Sequence, residues 1–383
     1  MKILYDHQAF TYQYYGGVSK CFCELISHLP ATALPIIGVS ESNNIHLHNS
    51  NLCANLKPVS IDEQHFMTRY SFRGKGKLYK LLKLFNFNTT EIINKKKCLD
   101  LLKSGDFDIF HPTFFDDYYL EFLNGKPFVL TIHDMMPELF PQYYKKNDIQ
   151  IIGKKKLVTK ASVIIAVSEQ TKKDIIEILN VPEEKIHVIY HGGPKVENFK
   201  GKGLYDFPYF LYVGQRGTYK NFPRLLQDFS KFIKIYSNVK LVCTGPDFTS
   251  AEYDMIKLLK LEKNIIHRKS SDQDLKLLYA NAIAFVYPSL YEGFGMPILE
   301  AFAYGCPVLL NNKSCFPEIA GDAAIYFEAD NDSSNLLEVM NHFYNLPDKH
   351  INAIVNNGYR RLSDFSWEKS AEKLYDIYKY ILE

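Results

Sequence analysis

Two acidic residues, Glu292 and Glu300, lie eight positions apart in the segment VYPSLYEGFGMPILEAFAYGCPVL, residues 286–309. A predicted strand ends before Glu292, a glycine-containing loop follows, and a helix predicted to begin near Pro297 places Glu300 in its first turn. Glycine lets the backbone approach a ligand, and the N–H groups that open a helix favour an anion such as phosphate. Both carboxylates could therefore accept hydrogen bonds from the hydroxyl groups of one ligand. The alternative is that Glu300 only complements the helix dipole and that Glu292 is solvated.

Two cations, Arg216 and Lys220, lie in the loop after another predicted strand, within VGQRGTYKNFPRLLQDF at residues 213–229. Arginine can bind phosphate oxygens in a bidentate manner, and lysine acts as a point charge. Cations at the carboxyl end of a strand predict a diphosphate site. Ordinary surface charges remain the alternative, as for most Lys and Arg side chains.

Two histidines end predicted strands in the first half of the chain. His111 lies in DIFHPTFF and His133 in TIHD, so either could face a ligand at the carboxyl edge of a parallel sheet. A packed structural histidine is the alternative for each. The DxD pattern of Asp106 and Asp108 directly precedes a strand and so lies at the opposite edge, where we interpret it as a turn.

The elements that must position these residues are short strands alternating with amphipathic helices, which is typical of parallel sheets covered by helices. The predicted strands are 2–5, 108–110, 127–132, 163–167, 185–189, 209–213, 240–244, 264–267 and 283–287. The predicted helices are 17–29, 221–235, 251–259, 273–280, 297–304 and a terminal helix after Ser366. Residues 192–208 hold four Gly and two Pro, the composition of a linker. The predicted fold class is therefore α/β, with two doubly wound Rossmann-like domains facing a cleft where a substrate would bind.

Composition narrows the function classes. The chain has 383 residues, of which 46% are hydrophobic and 23% charged, and its formal net charge is +2. This excludes a disordered or collagen-like chain, and no apolar run reaches the ~18 residues that span a bilayer. The seven Cys contain no CxxC pair, which predicts reduced thiols and no metal site. No P-loop, HExxH or GxSxG pattern is present.

The motifs resemble those of a known enzyme family. The frame E-G-F-G-M-P-x-x-E-A-x-x-x-G-x-P-V that begins at Glu292 looks like the E-x7-E motif of retaining GT-B glycosyltransferases of family 4, the group 1 type. The G-x-R-x-x-x-K stretch at 214–220 resembles their phosphate-binding loop, and YYGGVS at 14–19 their N-terminal glycine loop. The run VLTIHDMMPELFP at 129–141 is similar to the bacterial mannosyltransferase branch that builds O-antigen and capsule chains.

The resemblance implies a role for each matching residue. Glu300 would bind the ribose hydroxyls of a nucleotide, and Glu292 would contact the transferred sugar. Arg216 and Lys220 would hold the diphosphate, and His133, more than His111, would contact the donor sugar. Further donor-binding residues implied by the resemblance are Gly16, Gly17, Gly214, Arg268, Phe294, Gly295 and Met296.

The resemblance also implies an architecture of three segments. Residues 1–195 would form the acceptor-binding domain and residues 205–365 the nucleotide-sugar-binding domain. Residues 366–383 would form a helix that crosses back onto the first domain.

The expected activity is retaining, metal-independent transfer of a hexose from a nucleotide diphosphate sugar to a lipid-linked glycan in surface polysaccharide synthesis. GDP-mannose is the favoured donor, and no cofactor, metal or nucleic-acid partner is expected. The alternatives are a nucleotide-sugar epimerase or a phosphorylase on the same fold, or a non-catalytic glycan-binding partner subunit.

A basic stretch, Arg69–Lys83, mixes cations with Tyr, Phe and Leu (RYSFRGKGKLYKLLK). Such a segment could lie on an anionic membrane surface, or be a solvated amphipathic helix. The expected location is cytoplasmic, with peripheral contact to the inner face of the cytoplasmic membrane through this stretch.

Overall fold

A computed structural model describes residues 1–60, 73–75, 78, 89–197, 203–330 and 332–383. The chain divides into two compact units. Unit 1 comprises Met1–Val167, Thr171–His191 and Trp367–Glu383, and unit 2 comprises Ser168–Gln170 and Gly192–Ser366. The strands of both units form parallel sheets, so the predicted α/β class is confirmed.

Unit 1 is built on parallel strands whose residues are mostly buried. Its strands are β1 (Lys2–Tyr5), β2 (Leu34–Ile37), β3 (Glu41–Ser42), β4 (Lys57–Pro58), β5 (Ile109–His111), β6 (Val129–Ile132), β7 (Val163–Ala166) and β8 (Ile186–Val188). The two main sheets have the orders β2-β1-β5 and β6-β7-β8, and a bridge between Phe110 and Phe128 links them. Continuous apolar runs such as VLTI in β6 and VIIA in β7 suit strands that are covered on both faces.

Helices surround the strands of unit 1. They are α1 (Gln8–Tyr12), α2 (Gly17–Ser27), α3 (Ile45–Asn49), α4 (Thr90–Ser104), α5 (Met136–Leu139), α6 (Ile149–Lys160), α7 (Glu169–Leu179) and, at the end of the chain, Trp367–Leu382. This last helix packs against α2. Its Tyr378 is fully buried and shares a hydrogen bond of 2.8 Å with Tyr5 of β1, so the C-terminal segment belongs to the core of unit 1.

Unit 2 has one six-stranded parallel sheet. Its strands are β9 (Tyr209–Tyr212), β10 (Lys240–Cys243), β11 (Ile265–His267), β12 (Phe285–Tyr287), β13 (Val308–Asn311) and β14 (Ile325–Phe327). Their order is β11-β10-β9-β12-β13-β14. The chain builds outward from β9 to one edge and then returns to β12 beside β9. The loops after these two strands therefore diverge, which makes a crevice at the carboxyl edge where such sheets bind ligands.

The helices of unit 2 follow the predicted alternation. They are α8 (Phe222–Phe232), α9 (Ser250–Leu258), α10 (Asp272–Asn281), α11 (Met296–Ala303), α12 (Phe316–Ala320), α13 (Leu336–Tyr344) and α14 (Asp348–Leu362), so the terminal helix Trp367–Leu382 is α15. In α8 the apolar residues recur at helical spacing, and all of them are buried: Phe222, Leu225, Leu226, Phe229 and Phe232. One detail differs from the prediction. Because α11 begins at Met296 rather than Pro297, Glu300 lies in its second turn and not its first.

The acids of the DxD pattern both bind Lys2. Its Nζ lies 2.5 Å from Asp106, and its backbone N–H donates to Asp108 over 2.7 Å. These acids therefore tie β1 to the turn before β5.

Most of the basic stretch Arg69–Lys83 lies outside the described residues. Among the residues described, no helix combines the length and the apolar character needed to cross a membrane.

Candidate functional site

The diverging loops of unit 2 bring Lys220 and Glu292 together. Lys220 ends a turn of 3-10 helix after β9, and Glu292 lies in the loop after β12. Lys220 Nζ donates to Glu292 Oε1 over 2.5 Å, and only 15% and 11% of the two side chains are exposed. The sequence therefore singled out two residues, 72 positions apart, that form one ion pair at the crevice.

Glu292 is fixed by contacts on both its backbone and its side chain. Its N–H donates to Ser314 Oγ over 3.2 Å, and the Ser314 hydroxyl donates to its carbonyl oxygen over 2.6 Å. Ser314 adopts the left-handed conformation with φ 55°, which is unusual for a residue with a side chain and is typical of functional loops. Burial beside the Glu292 carboxylate raises the pKa of Tyr287 well above its usual range, so the phenol stays neutral and can donate to the acid.

The amides predicted to contact phosphate and sugar lie where α11 begins. Gly295 is the N-cap of the helix, with φ 88° in the left-handed region, and a β-carbon there would approach Ile298 to 3.0 Å. Met296 is the first helical residue, and the Phe294 ring is buried against Phe365. The positive end of the α11 dipole thus opens in the same loop as Glu292.

Arg216 is held inside the protein. Its Nε donates to Glu252 over 2.9 Å, Nη1 donates to the Thr244 carbonyl over 3.3 Å, and Nη2 donates to the Pro246 carbonyl. The guanidinium also stacks over Phe248, at 4.5 Å from the ring centroid. It is 6% exposed, and these contacts use three of its five N–H groups.

Two glycines lie where the loops after β9 and β10 meet. A β-carbon on Gly245 would lie 2.4 Å from the carbonyl oxygen of Gly214, and both residues have positive φ. This close approach joins the loop that carries Arg216 to the carbonyl groups that it binds. A β-carbon on Gly214 would itself meet no heavy atom within 4 Å, so what favours glycine there is its φ of 110°.

Glu300 and Arg268 have separate surroundings. Glu300 is partly exposed, and the hydroxyl of Tyr279 donates to its Oε2 over 3.5 Å. Arg268 follows β11, where its Nη2 donates to Asp274 Oδ1 over 3.1 Å and its guanidinium faces the Tyr205 ring at 6.0 Å. Arg268 thus pairs with an acid of α10, and Glu300 accepts from a tyrosine of the same helix.

The two candidate histidines of unit 1 differ in what their ring nitrogens do. His111 is fully buried, with Nδ1 2.5 Å from the Tyr378 hydroxyl and Nε2 2.8 Å from Thr131 Oγ1. Burial lowers its pKa to about 3, so the ring is neutral. Both nitrogens of His111 are engaged inside the core, which favours a structural role and leaves His133 as the candidate for contact with a ligand.

His133 lies directly after β6, and its Nε2 is buried without a hydrogen-bond partner among the described residues. Burial lowers its pKa to about 4. The next residue, Asp134, is anchored by Lys154, whose buried Nζ donates to its carbonyl over 3.0 Å and to Glu138 Oε2 over 2.7 Å. Lys154 therefore positions the segment that carries His133, a role that its sequence context (GKKKL) did not reveal.

The glycine loop opens α2. Gly16 is its extended N-cap, where a β-carbon would lie 2.3 Å from Gln13 Oε1. That oxygen is already used, because it accepts from the Ser19 N–H over 3.0 Å. A β-carbon on Gly17 would have no heavy atom within 4 Å, so there is open space for a side chain there.

One cluster was missed by the sequence reasoning. Ligand atoms of Cys21, His133 and His191 all lie within 4.8 Å of one another, and Cys21 Sγ is 3.3 Å from His191 Nδ1. The three residues come from α2, the end of β6 and the loop after β8, so no spacing in the sequence could have shown them to be neighbours.

Two family models match consecutive parts of the chain. Residues 15–192 match the model described as "Glycosyltransferase Family 4", and residues 195–361 match "Glycosyl transferases group 1". The chain is 32% identical over 210 residues to "O-antigen chain mannosyltransferase RfbU" of Salmonella typhimurium, covering 54% of this chain and 58% of that protein. It is 28% identical over 277 residues to "O-antigen chain mannosyltransferase B" of Escherichia coli, covering 66% of this chain and 70% of that protein. The first match thus spans less than two thirds of its relative.

A solved structure shares the fold. The Anabaena protein Alr3699/HepE, crystallised "in complex with UDP and glucose", superposes with a TM-score of 0.70 at 16% identity, covering 99% of this chain and 100% of that one. The chain belongs to the family 4, group 1 glycosyltransferases and has their two-domain GT-B fold.

Proposed function

We propose that this protein transfers a hexosyl group, with mannose from GDP-mannose as the favoured case, to a lipid-linked glycan acceptor in surface polysaccharide synthesis. The transfer retains the anomeric configuration and needs no metal ion. The mannosyltransferase names of the two relatives support the choice of sugar. The UDP named with HepE makes UDP-sugars the donors to be compared with it.

The observation that carries this proposal is the ion pair of Lys220 and Glu292 at the crevice of unit 2. Each member of such a pair can take a new partner from a ligand that carries both an anion and hydroxyl groups. A diphosphate takes the ammonium of Lys220, and sugar hydroxyls donate to the released carboxylate of Glu292. The α11 N-terminus lies in the same loop as Glu292 and adds N–H donors for the phosphate.

The chemical step follows from this arrangement. The bond between the anomeric carbon and the phosphate oxygen breaks, and its electron pair moves onto the leaving diphosphate. Lys220 and the amides at the start of α11 stabilise the charge that develops there. The acceptor oxygen bonds to the same face of the anomeric carbon, and its proton passes to the leaving phosphate oxygen. The protein cations thereby supply the charge stabilisation that a metal ion provides in other enzymes.

Glu300 and Arg268 complete the proposed donor site on the nucleotide side. Glu300, on the second turn of α11, accepts hydrogen bonds from the ribose hydroxyls, and the base lies near Arg268 after β11. Arg216 is tied to Glu252 and to the carbonyl groups of Thr244 and Pro246. Its first role is therefore to hold the Thr244–Pro246 backbone beside the site.

The direct test combines donor binding with product analysis. GDP-mannose, UDP-glucose and UDP-N-acetylglucosamine are titrated calorimetrically in EDTA, and transfer to a polyprenyl-diphosphate-linked N-acetylhexosamine is followed by mass spectrometry. Proton NMR of the product reports its anomeric configuration. We expect donor binding and transfer in EDTA, with retention.

Other results would support a competing function. Conversion of the donor without an acceptor would indicate an epimerase, and strict dependence on orthophosphate would indicate a phosphorylase. Absence of binding to any nucleotide sugar would indicate a non-catalytic subunit.

A further inference from the structure

The cluster of Cys21, His133 and His191 in unit 1 is built from the side chains that bind borderline-soft metal ions. Thiolate sulfur and imidazole nitrogen are the usual ligands of zinc, and three such ligands with one open position form a common coordination set. Their atoms lie within 4.8 Å of one another. A tetrahedral zinc site needs roughly 3.5 Å between ligand atoms, given bonds of about 2.0–2.3 Å. Cys21 and His191 already meet this requirement at 3.3 Å.

A second observation points to a ligand at this place. His133 Nε2 is a buried polar atom that has no partner among the described residues, although a buried polar group normally has one. Its ring lies 5.7 Å from the ring of His191, centroid to centroid. A rotation of the His133 side chain that shortens its distance to the other two ligand atoms by about 1 Å would let all three bind one ion. His133 is partly exposed, so an ion can reach the cluster from the side of this residue.

We propose that Cys21, His133 and His191 bind a divalent ion of the zinc class. Binding replaces the proton of the Cys21 thiol by the metal and releases it to solvent. The effect on activity rests on the proposed function, since His133 is also the residue expected to contact the donor sugar. An ion on His133 removes that contact, so zinc acts as a reversible inhibitor.

The chain carries its own reporter for this site. Trp367 is the single tryptophan of the sequence, and its ring lies 5.6 Å from the ring of His191. Co²⁺ is the probe, because it takes zinc positions, quenches nearby fluorescence and shows an absorption band when bound to thiolate. The titration uses the full chain, reduced and freed of metals with a chelator that is then removed. We expect saturable quenching at one equivalent, a thiolate–cobalt band, and reversal by excess Zn²⁺.

Matched variants decide whether the cluster is responsible. Cys21→Ser should weaken Co²⁺ binding at least tenfold and abolish the thiolate band. Cys23→Ser is the control, because Cys23 is also buried on α2 but lies outside the cluster. His191→Gln provides a second test that does not depend on the folding of the Cys21 variant, and far-ultraviolet circular dichroism checks each fold. Absence of saturable binding, or equal binding by the Cys21 and Cys23 variants, would overturn the site.

Activity assays separate this inference from the proposed function. Zinc should inhibit transfer by the wild type and by Cys23→Ser, and should inhibit Cys21→Ser at least tenfold less. Binding of Co²⁺ without inhibition by Zn²⁺ would keep the metal site and refute the sugar contact of His133. Transfer without any metal binding would refute the metal site and leave the proposed function intact.

Discussion

The strand ends of the two units hold their polar side chains in different ways. In unit 2, opposite charges pair with each other, as Lys220 does with Glu292 and Arg216 with Glu252. In unit 1, the ends of β5 and β6 carry neutral histidines packed among aromatic rings. A charged pair can exchange one partner for an anionic ligand, whereas a neutral ring can only share a hydrogen bond or bind a metal. The contrast concerns the strand-end residues themselves, since unit 1 also has a buried ion pair, Lys154 with Glu138. It supports the proposal that the diphosphate of the donor binds to unit 2.

The largest expected effect is the loss of the Lys220 ammonium. Lys220→Met should lower the rate of transfer from GDP-mannose by about 10²–10³, because one preorganised donor to the leaving group disappears. Steady-state kinetics with a nucleotide-release assay measures this change.

Lys231→Met is the matched control for that measurement. Lys231 pairs with Asp228 on α8 and its side chain is 56% exposed. A loss of less than threefold in the Lys220 variant, with its folding intact, would contradict the role assigned to the ion pair.

A smaller effect is expected at the nucleotide. Glu300→Ala removes a charged acceptor for the ribose, and hydrogen bonds to charged groups contribute about 1.5–3 kcal/mol. Its Kd for GDP should therefore rise roughly ten- to a hundredfold. Calorimetry of GDP binding checks this, with the exposed residue Glu338 of α13 changed to Ala as the control. Unchanged affinity in the Glu300 variant would remove the ribose assignment.

Much of this fold could be predicted because its buried strands are short apolar runs. The prediction for β1 matches the structure residue by residue, and β7 was predicted with one extra residue. The edge strand β2 was not predicted, because its LPII sequence contains a proline and its first two residues are exposed. An edge strand needs neither a continuous apolar run nor every backbone hydrogen bond, so it lacks the signal that marks a central strand.

The candidate site was predicted by its motifs, but the partners of its charges were not. The sequence placed Arg216 and Lys220 in one loop and suggested one shared ligand. In the structure they bind different acids, Glu252 and Glu292, which lie 36 and 72 positions away. Pairing over such distances depends on which strands are neighbours, and the spacing of residues within one loop carries no information about that.

Acid should weaken unit 1 through its neutral histidines. His111 has a native pKa of about 3 against an ordinary value of 6.5, so only the unfolded chain takes up its proton between these values. Stability is therefore retained above pH 6.5 and falls as the pH drops toward 3, by up to about 1.4 kcal/mol per pH unit for this group. Urea unfolding at pH 7, 6 and 5 measures the slope. His111→Gln, which cannot titrate, should have a shallower slope than the wild type, and an identical slope would show that His111 is not buried as a neutral ring.

The smallest expected change in stability is that of Gly17→Ala in the glycine loop of unit 1. Comparing its stability with its activity distinguishes a structural role of the loop from a functional one. A methyl group at Gly17 meets open space, so Gly17→Ala should leave stability unchanged or raise it by about 0.4–1 kcal/mol through the unfolded state. Gly16→Ala should lower stability, because its methyl group would displace the Gln13 oxygen that accepts from Ser19. If the donor approaches this loop, Gly17→Ala will nevertheless lose activity while its unfolding midpoint holds. Parallel thermal unfolding and transfer assays on the two variants test this, and full activity of Gly17→Ala would show that the loop only begins α2.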